Sequence, residues 1–183
     1  MVDLKSDAIT SGHFATKVDD NPLWQYACQV YSQAGMEAAL LNLQDGHGAD
    51  VNLILHALWL ASEGIEWTPE CIPADYALWV AEQVIPIRTM RRRLKTDWVE
   101  LRDVAYEGFR QQVKGLELRA EQYALAMLYV HCEARVKGVS NNGAKNNGAK
   151  NNRESMMAAD NLQLLGEELN ILSEHFELLM AAL

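Results

Sequence analysis

Apolar residues recur at helical spacing along most of this chain, and nowhere form the long β-branched alternation that a half-buried strand needs. The first clear helix starts at Asn21, a capping residue, with Pro22 at the first helical position, where its missing N–H costs nothing. Leu23, Trp24, Ala27, Cys28, Val30 and Tyr31 mark its apolar face, and Gly35 breaks the run. "MEAALLNLQD" predicts a second helix, with Gly46 placed to end it. Asp50 is placed to cap a third, "VNLILHALWLASEG", which is apolar nearly all round and so belongs at the centre of a core.

Thr68-Pro69 and Pro73 punctuate the next stretch, and a fourth helix is predicted from about Pro73 to Val84, with Pro86 ending or kinking it. Ile87, Met90, Leu94, Trp98, Leu101, Ala105 and Phe109 share one stripe, which predicts one long helix from about Ile87 to Gln112. Gly115 opens another, running to about Lys137. "NNGAKNNGAKNN" (Asn141–Asn152) can pack no core and reads as a flexible insertion. Beyond it, Ala158, Leu162, Leu165, Leu169, Leu172, Phe176, Leu179 and Leu183 alternate in steps of four and three, a heptad seam on a last helix from about Glu154. Leu164, Ile171 and Leu178 widen the seam to the face of a bundle helix. The pattern predicts an all-α, single-domain bundle of about seven helices. A loose polar tail would occupy residues 1–20, and the helical domain 21–183 would carry an Asn/Gly-rich loop at 139–153.

Charge and cysteine usage narrow the classes. The net charge of −9 disfavours broad binding to nucleic acid or anionic membranes, both of which need a positive field. Cys28, Cys71 and Cys132 are widely spaced with no CxxC pair, which speaks against a disulfide framework or zinc ribbon and suits buried, reduced thiols. The first twenty residues lack the apolar centre of a secretory signal, and the longest apolar run, Leu53–Ala61, is too short to span a bilayer. The expectation is a cytoplasmic protein, outside the membrane, with no cofactor and no metal.

"PLWQYACQVYSQAGMEAALLNLQDGHGADVNLILHALWLASEG" resembles a bacterial family of uncharacterised conserved proteins marked by LQD-x-HG-x-DVN-x-x-L-x-x-x-WL. Leu43, Gln44, Asp45, His47, Gly48, Asp50, Val51, Asn52, Leu55, Trp59 and Leu60 carry the match. "IPIRTMRRRLK" resembles the family's second block, a proline followed by an arginine-rich helix start. The resemblance is expected to cover Asn21 to the C-terminus apart from the Asn-Gly loop. It implies the helical fold and no particular reaction.

Three groups of residues could carry chemistry. Asp45, His47 and Asp50 form D-x-H-x-x-D, two carboxylates and an imidazole that could hold a divalent cation, or a turn in which Asp50 simply caps the next helix. Asn52, His56 and Glu63 share one face of the apolar third helix. They could form an internal hydrogen-bond network, or line a pocket where His56 titrates near neutral pH as an acid or base. Arg88, Arg91, Arg92, Arg93 and Lys95 crowd like charges at i,i+4 spacing, each such pair costing about 0.2–0.5 kcal/mol. Their compensation would come from the chain's own carboxylates, with Glu82, Glu100, Asp103 and Glu107 as candidates, or from an anionic partner that suits the arginine fork. His131, Cys132, Trp24, Trp59, Trp79 and Trp98 read as core or near-core residues.

The leading expectation is a non-enzymatic helical protein that binds a protein or anionic partner through the Arg88–Lys95 face, with the C-terminal seam leaving a homodimer open. The alternative is a metal- or small-ligand-binding enzyme centred on Asp45, His47, Asp50, Asn52 and His56. RNA or ribosome association through the arginines is the weaker third reading, because stacking aromatics are not interleaved with them.

Overall fold

The computed structural model of the chain describes residues 16–98, 103–142, 150–171 and 173–182. Every regular element among them is helical, in a single-domain bundle. Helix α1 (Pro22–Ser32) begins where Asn21 Oδ1 accepts from Trp24 N at 2.8 Å, with Pro22 inside the first turn. Helix α2 (Met36–His47) runs through Gly46, which was expected to end it. Gly48, at φ +69°, is the residue that terminates it in a left-handed turn. Helix α3 (Val51–Ser62) is capped by Asp50, whose Oδ1 accepts from Asn52 N at 2.9 Å. Every residue from Val51 to Ala61 is buried, so α3 is the central element that its all-round apolarity predicted.

A 3₁₀ turn at Pro69–Cys71 leads to α4 (Tyr76–Trp79), a π-turn over Val80–Val84 and α5 (Ile85–Thr96), with no break between the three. Pro86 therefore neither ends nor separates the helix here. It lacks an N–H for the carbonyl of Glu82, and the wide π-turn that contains Glu82 is where the ladder rearranges around it.

The predicted helix from Ile87 to Gln112 is two helices. Asp97 and Trp98 turn the chain after α5, and Asp103 Oδ1 accepts from Tyr106 N at 2.8 Å as α6 (Val104–Asn142) begins. Helix α6 continues through Gly108 and Gly115, so the start predicted at Gly115 is absent. A glycine costs about 1 kcal/mol inside a helix. The buried stripe Ala120, Ala124, Leu125, Leu128 and Cys132 anchors α6 against the core and outweighs that cost.

Helix α6 persists to Asn142 and α7 (Lys150–Leu169) resumes at Lys150, so helix enters both ends of the loop predicted at 139–153. Residues 143–149 lie outside the described residues. Helix α7 packs most extensively on α3. The buried Asn161 fixes their register: its Nδ2 donates to Ala57 O and Ile65 O, both at 3.0 Å, and its Oδ1 accepts from Trp67 N at 2.9 Å.

The continuous C-terminal helix is also corrected. Asn170, at φ +54°, turns the chain, Ile171 N donates to Gly166 O at 2.8 Å, and a 3₁₀ turn (Ser173–Phe176) precedes α8 (Glu177–Ala182). The reversal needs Gly166, because a Cβ there would lie 2.8 Å from Ile171 O and 3.0 Å from Phe176 Cε2. Seam residues Ala158, Leu162, Leu165, Phe176 and Leu179 are buried within the chain, whereas Leu172 and Leu183 lie outside the described residues.

Of the tail predicted over 1–20, residues 1–15 lie outside the described residues. Thr16–Asp19 form a helical turn, with Val18 fully buried and Lys17 paired to Glu133 at 3.3 Å.

Candidate functional site

The Asp45–His47–Asp50 loop does not converge. Asp45 pairs with Arg92 across the surface. The His47 ring stacks on His175, centroids 3.7 Å apart, which ties the end of α2 to the C-terminal 3₁₀ turn. Asp50 turns inward: one oxygen caps α3, and the other accepts from the buried Tyr76 hydroxyl at 2.9 Å. Burial pushes the Asp50 carboxyl up from its ordinary value, against the bonds from Tyr76 and Asn52 N and the nearby Arg88 charge. Among the described residues no group of three or more His, Cys, Asp or Glu is placed to hold a metal ion.

The Asn52–His56–Glu63 stripe is not a network either. Asn52 borders a cleft and neighbours the Tyr76 hydroxyl. His56 is fully buried, stacks on Trp59 with ring centroids 6.1 Å apart, and neither ring nitrogen has a hydrogen-bond partner among the described residues. Burial lowers its pKa to about 3, helped by His131 and Arg135, so the imidazole is neutral at pH 7 and is no near-neutral acid or base. Glu63 sits at the C-cap of α3 and shares no hydrogen bond with His56.

The arginines are where the sequence placed them, on α5, but all four have carboxylate partners. Arg88 reaches Glu117 at 3.2 Å and Glu121 at 2.7 Å, Arg91 binds Glu117, Arg92 binds Asp45, and Arg93 reaches Asp97 at 3.2 Å. Glu117 is the buried centre of this set, at 5% exposure, and holds α5 against α6. Its role was not legible locally, because it lies 26 and 29 positions from its arginines. Of the candidate compensating acids, Glu82, Asp103 and Glu107 pair with none of these arginines, and Glu100 lies outside the described residues.

A second missed feature surrounds that salt bridge. From Ile85 to Gln112 no described residue is buried. The hairpin of α5 and the first turns of α6 instead leaves Ile85, Met90, Trp98, Val104 and Phe109 exposed, Trp98 at 49% and Phe109 at 48%. Trp98 is therefore no core filler, while Trp59 and the unremarked Trp67 are. Cys28, expected inside, is exposed as well, and so is His131.

Where the hairpin meets the bundle, α1, α2, α3, α5 and α6 enclose a half-open cleft of about 490 Å³. Trp24, Tyr31, Leu41, Leu55 and Leu118 form apolar walls, and Asn52, Arg91, Lys114, Glu117 and Glu121 supply polar groups.

Residues 22–128 match the family model described as "Protein of unknown function (DUF2390)". The chain belongs to this family. The match takes in α1 to α5 and the part of α6 that carries Glu117, and stops short of the C-terminus that the marker segment led us to expect. No curated protein and no solved structure matches the chain. No helix among the described residues is long and apolar enough to cross a membrane.

Proposed function

We propose that this member of the family is a non-enzymatic docking protein whose α5–α6 hairpin engages a partner protein. One observation carries the reading: residues 85–98 and 103–112 contain no buried residue, yet expose Ile85, Met90, Trp98, Val104 and Phe109. Large apolar side chains, aromatics and methionine above all, anchor protein interfaces when they desolvate together.

The arginines take a different part from the one first expected. Glu117 and Glu121 together balance Arg88 and Arg91 inside the hairpin, so these two orient α5 rather than contact the partner. Arg93, at 68% side-chain exposure, and Arg92, at 49%, flank the apolar residues with only surface carboxylates beside them. Such exposed pairs are worth about 0–1 kcal/mol and exchange readily for a partner's carboxylates. The partner is thus a protein with an apolar groove rimmed by Asp and Glu. A chain of net charge −9 repels such a partner except at this basic helix, which fixes the orientation of approach.

The test compares wild type with Trp98→Ser plus Phe109→Ser, and with Arg92→Glu plus Arg93→Glu, in complexes recovered at low salt. The apolar pair of changes removes the complex without altering the melting temperature, and the charge reversal makes it far more salt-labile. A complex that survives both changes overturns the proposal. Light scattering of the purified chain separates this partner from a second copy of the chain.

The cleft beside the hairpin favours a second reading, a small amphipathic ligand. Its volume of about 490 Å³ lies in the range of small-molecule sites, roughly 300–1,000 Å³. Asn52, alone among the residues first nominated for an enzyme site, lines it. Native mass spectrometry of gently isolated protein would show a retained ligand, and Leu55→Trp would displace it.

A further inference from the structure

Cys71 and Cys132 stand 61 positions apart in the chain, yet the fold brings them together where the 3₁₀ turn at Pro69–Cys71 packs on α6. The Cys132 thiol donates to the Cys71 carbonyl oxygen at 3.6 Å. Arg135, one helical turn beyond His131, places Nη1 2.9 Å from Cys71 Sγ. Thr68 Oγ1 lies 3.8 Å from the same sulfur. The Cys71 sulfur therefore faces a guanidinium and a hydroxyl, a set that suits a thiolate better than a thiol, while a second thiol sits on its own carbonyl. The Cys132 hydrogen bond comes first in holding Cys71 well below the usual thiol range, joined by Thr68 and the Arg135 charge, against burial. Cys132 shifts the opposite way, so the two thiols are chemically unequal.

Both sulfurs are buried, but only under a thin cover. Pro69 and Glu70 of the turn are exposed, and so are His131 and Arg135 on α6. Besides the thiols and Arg135, exposed His131 clasps the turn to α6, its Nε2 lying 2.9 Å from Glu70 O. A small displacement of these exposed residues is enough to uncover Cys71 to a molecule little larger than water.

We propose that Cys71 and Cys132 form a hydroperoxide-reactive dithiol, with Cys71 the attacking sulfur and Cys132 the resolving one. The Cys71 thiolate attacks one oxygen of hydrogen peroxide. The O–O bond breaks, the leaving hydroxide takes a proton to become water, and Cys71 becomes a sulfenic acid. Cys132 then attacks the Cys71 sulfur, the S–O bond breaks, and the second hydroxide leaves as water with the Cys132 proton. Two thiols are oxidised by two electrons to one disulfide, and one peroxide is reduced to two waters. The disulfide staples the turn to α6. The site lies apart from the hairpin and does not depend on the docking proposal.

The test uses the full chain carrying Cys28→Ser, which removes the exposed third thiol. Native protein is treated with hydrogen peroxide, quenched by alkylation and read by mass spectrometry. The expected result is loss of two hydrogens, a linked peptide pair containing Cys71 and Cys132, and full reversal by dithiothreitol. Added Arg135→Met slows the reaction several-fold, because the guanidinium 2.9 Å from Cys71 Sγ no longer stabilises the thiolate. Cys132→Ser leaves a Cys71 sulfenic acid that dimedone traps. Free Cys71 and Cys132 after excess peroxide in the native protein, with linkage only after denaturation, would overturn the proposal. So would an unchanged rate in Arg135→Met of native circular dichroism.

Discussion

Replacing Glu117 by glutamine should release α5 while leaving the bundle folded. Glu117 accepts from Arg88 Nε at 3.2 Å, from Arg91 Nη2 at 3.3 Å and from Arg91 Nε. Charge-assisted hydrogen bonds contribute about 1.5–3 kcal/mol each. Arg88 keeps Glu121 at 2.7 Å, and Arg91, at 34% side-chain exposure, is partly rehydrated when its partner goes. The expected loss is therefore about 2–3 kcal/mol, at or just below the roughly 3–5 kcal/mol that removing one partner of a fully buried pair costs. No residue of α5 is buried, the Arg92–Asp45 pair is exposed, and a bond from Tyr106 Oη to Leu94 O at 2.7 Å adds to the hold on α5. The cost thus falls on a local opening, raising the open population of α5 about 30- to 150-fold. Hydrogen exchange reads this directly. Amides of Ile85–Thr96 should exchange faster in Glu117→Gln by that factor, while those of Leu53–Leu60 keep their rate. Unchanged α5 exchange would refute the claim that Glu117 holds the hairpin, and equal acceleration of α3 would show that α5 and the bundle open as one unit.

His56→Leu deletes two buried ring nitrogens without partners, so urea unfolding at pH 7 should show about 1–2 kcal/mol of added stability. The same variant tests a pH dependence. With a folded pKa of about 3 against 6.5 unfolded, His56 makes the unfolded state bind more protons in that window. Its contribution is intact above 6.5 and falls by about 1.4 kcal/mol per pH unit as pH drops toward 3. The difference between wild type and His56→Leu should grow with that slope on acidification, and a constant difference would contradict it. Gly166→Ala forces a Cβ against Ile171 O and Phe176, and should cost about 1–3 kcal/mol by thermal melting. Arg92→Ala breaks only an exposed pair and should leave stability within about 0.5 kcal/mol of wild type.

Local signals were readable from the sequence, and long-range ones were not. Asn21, Pro22 and Asp50 start their helices because a cap acts within three residues. The all-round apolarity of Val51–Ala61 placed α3 at the centre because only a fully enclosed helix tolerates it. Spacing misled at the hairpin. Ile87, Met90, Leu94, Trp98 and Phe109 keep helical period across a real turn, and period alone does not say whether a face meets a core or solvent. Asp103, a capping residue ahead of Val104, was the available sign of the break. Likewise D-x-H-x-x-D gave proximity in sequence, but its three side chains depart toward Arg92, His175 and Tyr76, partners from distant parts of the chain. The pairing of Cys71 with Cys132 and the bridging of Ala57, Ile65 and Trp67 by Asn161 are tertiary in the same sense.

The docking proposal is tested most directly by photo-cross-linking. A photoreactive phenylalanine at Trp98, with a control at exposed Gln163 on α7, would be irradiated in intact cells and the adducts identified by mass spectrometry. The account predicts one discrete protein adduct at position 98, absent at 163, with the cross-linked peptide of the partner rich in Asp and Glu. The same faint, heterogeneous background at both positions would contradict it.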